Sequence, residues 1–399
     1  MKTSHAQHGL SLIELMVALA IGAMLVLGLL QVFSASRTAY QLSEGLARVQ
    51  ENARFAVDYM QRDLRMVGHQ GCVNDQARFL TNPAGFRSTF VAETQPTEAQ
   101  FAAAAAQLQF QVSVQGYEAQ GTAPGGSVTL PTSGAWAGSP ALPTYIKNLS
   151  PAPAAGSDVV VLRYFSPEGV PLETFASGTT TTMTVEKDRW DKVIASSGLA
   201  EPAILGVADC IGATAFQASA IVASANKVTV SVAATGLNKS SMITDNFTTG
   251  QAMLYRAESE VFYVAYRADG NPALFRARFS ATKNGTAVTP VIEELVRGIE
   301  NMQLIYGMDS QANSALPPTG FIASQMVADK VQTGASTVPW RRVGLVQVAL
   351  LSRANTPSAA LAPAELPRLL GVQVTPPTDT RYRAVYETTI AMRNRLYGN

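Results

Sequence analysis

The sequence predicts an α+β protein in which one long N-terminal helix precedes a mainly antiparallel β head. Three observations carry this. An apolar run from Leu10 to Phe33 is broken by a single charge, Glu14. An apolar stripe at helical spacing then continues to Val67. Beyond Gly71 that spacing gives way to short strand-like runs, parted by Gly, Pro, Ser and Thr.

The apolar run comes first. At about 1.5 Å per residue, a helix over Leu10–Phe33 spans roughly 36 Å, enough to cross a hydrocarbon core of about 30 Å. Residues 1–9 are polar, with Lys2 and no acid. The stripe comes next, at positions 42, 46, 49, 53, 56, 60, 64 and 67, which are Leu, Leu, Val, Ala, Ala, Met, Leu and Val. Steps of three and four place them on one helix face. Other faces carry Glu44 and Arg48, Glu51 and Arg54, and Asp58 and Arg62, spaced for surface pairs. Gly68 and Gly71 end the helix.

Strand-like runs lie at Asp158–Phe165, Lys227–Val232, Ala252–Ala265, Ala273–Phe279, Val343–Leu351 and Ala384–Met392. Ala268-Asp-Gly-Asn-Pro272 carries turn signals for a hairpin between two of them. Ala102–Ala106 and Thr179–Thr182 read as low-complexity tracts and 121–157 as a loop. Phe321–Val331 reads as a short helix.

Composition excludes several functions. With 30 basic and 29 acidic residues the net charge is +1, which gives no nucleic-acid footprint. His5, His8 and His69 are the only histidines, and two precede the apolar run, so histidine chemistry is poorly served. Cys72 and Cys210 cannot form a zinc site by themselves; in an oxidising compartment they can form one disulfide. No nucleotide loop is formed at Gly121–Gly126, and no Gly-x-Ser-x-Gly or His-Glu-x-x-His occurs. Asp269, Asn271 and Asp309 are oxygen donors suited to calcium, but turn chemistry explains the first two better. No catalytic constellation, metal or cofactor is expected. Trp136, Trp190 and Trp340 read as packing residues, and His69 as a polar residue at the helix end.

Three readings compete for the N-terminus. A secretory signal peptide needs a shorter apolar core and a small-residue cleavage site, for which Ser34-Ala35-Ser36 is the candidate. A plain signal anchor leaves Glu14 unexplained unless it snorkels, since a mid-bilayer carboxylate costs about 2.5–3.5 kcal/mol. The third reading uses the whole string Gly9-Leu10-Ser11-Leu12-Ile13-Glu14-Leu15-Met16-Val17-Ala18, which resembles the processing site of type IV prepilins and pseudopilins. That resemblance implies cleavage after Gly9 by prepilin peptidase, an aspartic leader peptidase. It also implies N-methylation of Leu10, and pairing of Glu14 with the amine of a neighbouring subunit. The chain departs from the family in having Leu10 where phenylalanine is usual, which bears on methylation more than on cleavage.

Later blocks narrow the resemblance. Gln50–Gly68 with Gly71-Cys72, Tyr306-Gly-Met-Asp309, Arg342–Arg353 and Arg381–Arg395 are similar to the PilW family of type IV pilus minor pilins. Between about 80 and 250 the likeness is thin. It implies a pilin-like fold divided into a leader (1–9), a transmembrane half-helix (10–33), a periplasmic amphipathic half-helix (34–68) and a β-rich head (69–399). It further implies a single-pass inner-membrane protein that enters the pilus, at its tip, with other minor pilins and the major pilin as partners and a tip adhesin as a further one. The alternative is a pseudopilin of a type II secretion system. With both cysteines then in the periplasmic part, a Cys72–Cys210 disulfide is expected.

Overall fold

A computed structural model of the chain describes residues 11–74, 85–92, 99–100, 104–131, 134–199, 202–242, 245–313, 316, 318–333, 336–361 and 365–395. Helix α1 runs unbroken over Leu12–Met66, 55 residues. That is roughly 80 Å at about 1.5 Å per residue. It stops where glycine lets the chain turn left-handed, Gly68 at φ 81° and Gly71 at φ 78°.

The helix has two unlike halves. From Leu12 to Phe33 its side chains stand clear of the head, and Leu25 is 70% and Phe33 68% exposed. From Val49 on, the predicted stripe is buried: Val49, Ala53, Ala56, Met60, Leu64 and Val67 are fully enclosed. The stripe is shorter than the sequence suggests, because Leu42 and Leu46 remain partly exposed. Gly45 is buried between them instead. There the head comes so close that an added Cβ would lie 2.5 Å from the Ser358 Cβ.

The principal strands of the head are β1 (Val159–Phe165), β2 (Val170–Ala176), β3 (Ile204–Ala208), β4 (Met253–Tyr266), β5 (Pro272–Ser280), β6 (Thr289–Arg297), β7 (Ile299–Asp309), β8 (Ile322–Met326), β9 (Val343–Arg353) and β10 (Arg383–Ala391). The 14-residue β4 is the hub of the larger sheet. Its first half pairs with β3 and β2, its second half with β1 and β5, all antiparallel. A smaller antiparallel sheet has the order β8-β7-β9-β10. The stalk lies against this smaller sheet and β6. Parallel pairing among the described residues is confined to Gly212–Gln217 with Gly85–Ser88 and to Val372–Thr375 with Ser127–Thr129.

The main core is the seam between stalk and sheet. Met60, Leu64, Tyr306, Trp340, Val348 and Ile390 meet there, with the Tyr306 ring edge-on to Trp340 at 4.9 Å. β9 descends the stalk: the hydroxyl of Ser352, near its end, donates to the carbonyl of Val49 at 3.3 Å. β10 climbs back, and beyond it the Asn394 amide donates to the carbonyls of Arg65 and Val67.

All six strand-like runs are strands, each within two residues of its predicted bounds, and the Arg267–Pro272 turn joins β4 to β5 as expected. Three readings are corrected. Phe321–Val331 is not one helix: β8 pairs with β7, and only Ala328–Val331 is helical. The threonine tract belongs to a strand, Thr180–Glu186, whose β-branched residues alternate with buried Met183 and Val185. The loop 121–157 contains the short helix Thr144–Lys147 and buries Leu130, Leu142, Ile146 and Leu149. Part of the Ala102–Ala106 run, 102–103, lies outside the described residues.

Candidate functional site

The described chain begins at Ser11, so Gly9 and Leu10 lie outside it. Glu14 sits in the first turn of α1, where its Oε2 accepts the backbone N–H of Ser11 at 2.9 Å. That contact is half of a capping box, signalled by Ser11-x-x-Glu14. Sequence reasoning sets Glu14 against membrane and partner only and misses this local role. The carboxylate is held at the positive end of the helix dipole.

The upper end of the stalk is tied to the head in three ways. The first is ionic. Asp63, buried on α1, meets the guanidinium of Arg276 on β5 at 2.9 Å. Arg276 also meets Glu293 at 2.6 Å and Glu260 at 3.4 Å. Beside it Glu258 binds Arg278 at 3.0 Å and Arg256 at 2.8 Å. Four acids thus share three arginines in this group. Burial, then the Asp63 charge, pushes Glu260 up to about 8 against the pull of Arg276, so it holds its proton at neutral pH. The Tyr164 hydroxyl donates to it. Burial pushes Glu258 the same way, but Arg278 and Arg256 outweigh it and hold that carboxyl below its usual range.

The second tie is the C-terminal strand together with Asn394 and Arg395 just beyond it. Asn394 caps the last carbonyls of the stalk, and the Arg395 guanidinium donates to the carbonyls of Trp340 and Val343 at 2.7 and 3.2 Å. The third is covalent: Cys72 and Cys210 form a disulfide with Cα atoms 4.7 Å apart. The Asp209 carboxylate accepts the N–H groups of Ile211 and Gly212, shaping the turn that presents Cys210. His69 lies beside it, its Nδ1 3.0 Å from the Phe165 carbonyl and its ring edge-on to Tyr255. Burial lowers its pKa, which suits a packing role.

The residues weighed for calcium are otherwise engaged. Asp269 binds Arg267 and accepts the N–H of Asn271, as its turn requires. Asp309 Oδ1 accepts the N–H groups of Gln311 and Thr319, and its Oδ2 that of Gly320. Burial alone would raise its pKa; these donors lower it and bring Gln311, Thr319 and Gly320 together around the carboxylate. Among the described residues, no group of three or more His, Cys, Asp or Glu is placed to hold a metal ion. Of the predicted surface pairs, Glu44–Arg48 forms at 4.0 Å, whereas Arg62 turns to Asp63.

A bare apolar helix carrying a β head on its upper half suits a membrane-anchored protein of the prepilin type. Residues 4–30 match the prokaryotic N-terminal methylation motif. Residues 261–394 match the family described as Type IV Pilus-assembly protein W, or PilW, so the chain carries a PilW segment on a prepilin-type stalk. No curated protein and no solved structure matches it. The PilW segment runs from β4 through β10 and Asn394, and so contains the sheet on which the stalk packs.

Proposed function

We propose that this chain is a minor pilin that assembles with other minor pilins to prime or cap a type IV pilus. The observation that carries the reading is the conjunction of the methylation motif with a PilW segment that holds the stalk. On this reading prepilin peptidase cuts between Gly9 and Leu10, and the new amine of Leu10 is methylated. The helix up to Phe33 anchors the precursor in the inner membrane, with residues 34–68 and the head in the periplasm. In the filament that same helix packs against other pilin helices, and Glu14 neutralises a neighbour's amine. Two opposite charges can then be tolerated where neither could be alone. The role is structural rather than enzymatic.

A head of this bulk favours a terminal position. Repeated along a closely packed filament it would crowd its neighbours, whereas at one end the crowding on one side vanishes. The major pilin and a tip adhesin are then the partners below and above. Deletion of the gene tests this. The expected result is loss of surface pili and twitching, restored by the wild-type gene. Normal piliation with failed protein export would place the chain in a type II secretion system instead.

A further inference from the structure

The connection from β9 to β10 leaves the sheet at its lower end. β9 runs antiparallel to the stalk and ends beside Val49, while β10 finishes near the stalk's upper end. The first residues of the connection lie beside the stalk at Gly45, one turn below Val49, where Ser358 and Ala354 approach the helix. Ala354–Pro357 flank Gln41, Glu44, Gly45 and Arg48 across a cleft of about 390 Å³. This loop is built rather than slack. The guanidinium of Arg381 donates to the carbonyls of Ala354 and Asn355, and the N–H groups of Ser358 and Ala360 both donate to the carbonyl of Thr380.

From Ala354 to Leu361 the loop carries no charge. It presents Leu361 at 93% exposure, the highest of any large apolar side chain among the described residues. A lone exposed leucine is ordinary on a protein surface. This one lies at the end of the head that faces the membrane span. From Phe33 to Gly45 is roughly 18 Å along the helix, at about 1.5 Å per residue. Gly45 touches Ser358, and the three residues on to Leu361 reach up to about 10 Å. The gap left between Leu361 and the level of Phe33 is then at least about 8 Å, close to the thickness of the headgroup layer outside the hydrocarbon core.

We propose that the Ala354–Leu361 loop is a second membrane contact, seating Leu361 in the outer interface of the bilayer that α1 crosses. The inference rests on the reading of Leu10–Phe33 as a membrane span. An apolar side chain on an uncharged, braced loop partitions into such an interface by burying its area, without needing an anionic lipid. The contact sets how deeply and at what tilt the head rests before the subunit leaves the membrane.

The test uses the full chain in phosphatidylcholine vesicles. Both native cysteines are bonded to each other, so Leu361→Cys introduces the sole free thiol for an environment-sensitive fluorophore. A separate Leu25→Cys chain reports the span. The expected result is a blue-shifted Leu361 label that headgroup-level spin-labelled lipid quenches at least about twofold more than aqueous iodide does, as interfacial burial requires. The Leu25 label should respond to quenchers placed deep in the acyl chains. A Leu361 label quenched mainly by iodide, beside a normal Leu25 label, overturns the proposal and spares the span. Failure of both labels overturns the span as well. Shielding of Leu361 that appears only when unlabelled copies are added in excess makes the cover a second subunit, and also overturns it. Leu361→Asp provides an independent reading: the head should shift away from the lipid surface with the disulfide intact.

Discussion

Single residues decide how closely the stalk and the strands approach. Gly116 faces the ring of Tyr306, and an added Cβ would lie 2.1 Å from its hydroxyl. Tyr306 cannot retreat, because it is fully buried against Trp340. Gly116→Ala should therefore destabilise the head by about 1–3 kcal/mol, the range for overpacking a filled core. Thermal unfolding of the variant would show it. Glu14 acts at the other end of the molecule. Glu14→Ala removes the cap on Ser11 and a charge from the span, so insertion should be at least as efficient as in the wild type. Co-purification with partner pilins should nevertheless fall. Unchanged assembly would leave capping and snorkelling as the whole explanation of Glu14. The glutamate itself was legible in the sequence because it stands alone in an apolar run. Asp63 was not: on the helix it reads as one more surface acid, and only folding brings Arg276 against it from β5.

At the scale of elements, the stalk–head junction depends on charge. Asp63→Ala should cost about 3 kcal/mol, at the low end for breaking a buried pair. The cost stays low because Arg276 keeps the carboxylate of Glu293. Denaturant unfolding, read on the head and on the helix, would measure it. A second buried carboxyl pair lies between β1, β7 and the strand Val114–Ala119. Asp158 accepts the N–H groups of Ala119 and Leu304, while Glu118 accepts the Thr122 hydroxyl at 3.2 Å and a backbone N–H from Ala328. Burial, then the charge of Asp158, pushes Glu118 up to about 9. Glu118 and Glu260 thus bind protons more tightly folded than unfolded. Their contribution is fully present below the ordinary pKa of 4.5 and is lost as pH rises through about 8 and 9. Glu258, Asp309 and Asp379 are shifted the other way and lose their contribution in acid. Stability should therefore peak near about pH 5 and decline toward pH 9. Glu118→Gln should flatten the alkaline decline in a series of melting curves, and an unchanged slope would remove Glu118 from the account.

The same scale shows what the sequence could reveal. The stripe from Val49 to Val67 and the six strand runs were legible, because one face of each is buried and periodicity records it. Leu42 and Leu46 misled, since an apolar stripe does not say where its own head stops covering it. The strand Ile322–Met326 was missed because its pairing with β7 is non-local, and propensity over five residues decides little.

For the whole molecule, the disulfide and the N-terminus are the tests. The Cys72–Cys210 bridge closes a separation of 138 residues between the end of the stalk and the head. Loop entropy gives such a closure up to about 4–5 kcal/mol. Replacing both cysteines by serine should lower the unfolding midpoint by a corresponding amount, and peptide maps without reductant should find the linked pair. The long β4 strand joins the first half of the head to the PilW segment, so the two parts unfold together in this account. What the head's first half does there was not legible in the sequence, because its strands are short and its loops rich in Ala, Thr and Pro.

The central claim is that this chain is a processed, low-abundance pilus subunit. Quantitative mass spectrometry of sheared, purified pili tests it most directly. The account predicts a trace amount relative to the major pilin, with an N-terminal peptide that starts at N-methylated Leu10. Parity with the major pilin, or pili that contain none of the chain, would contradict it.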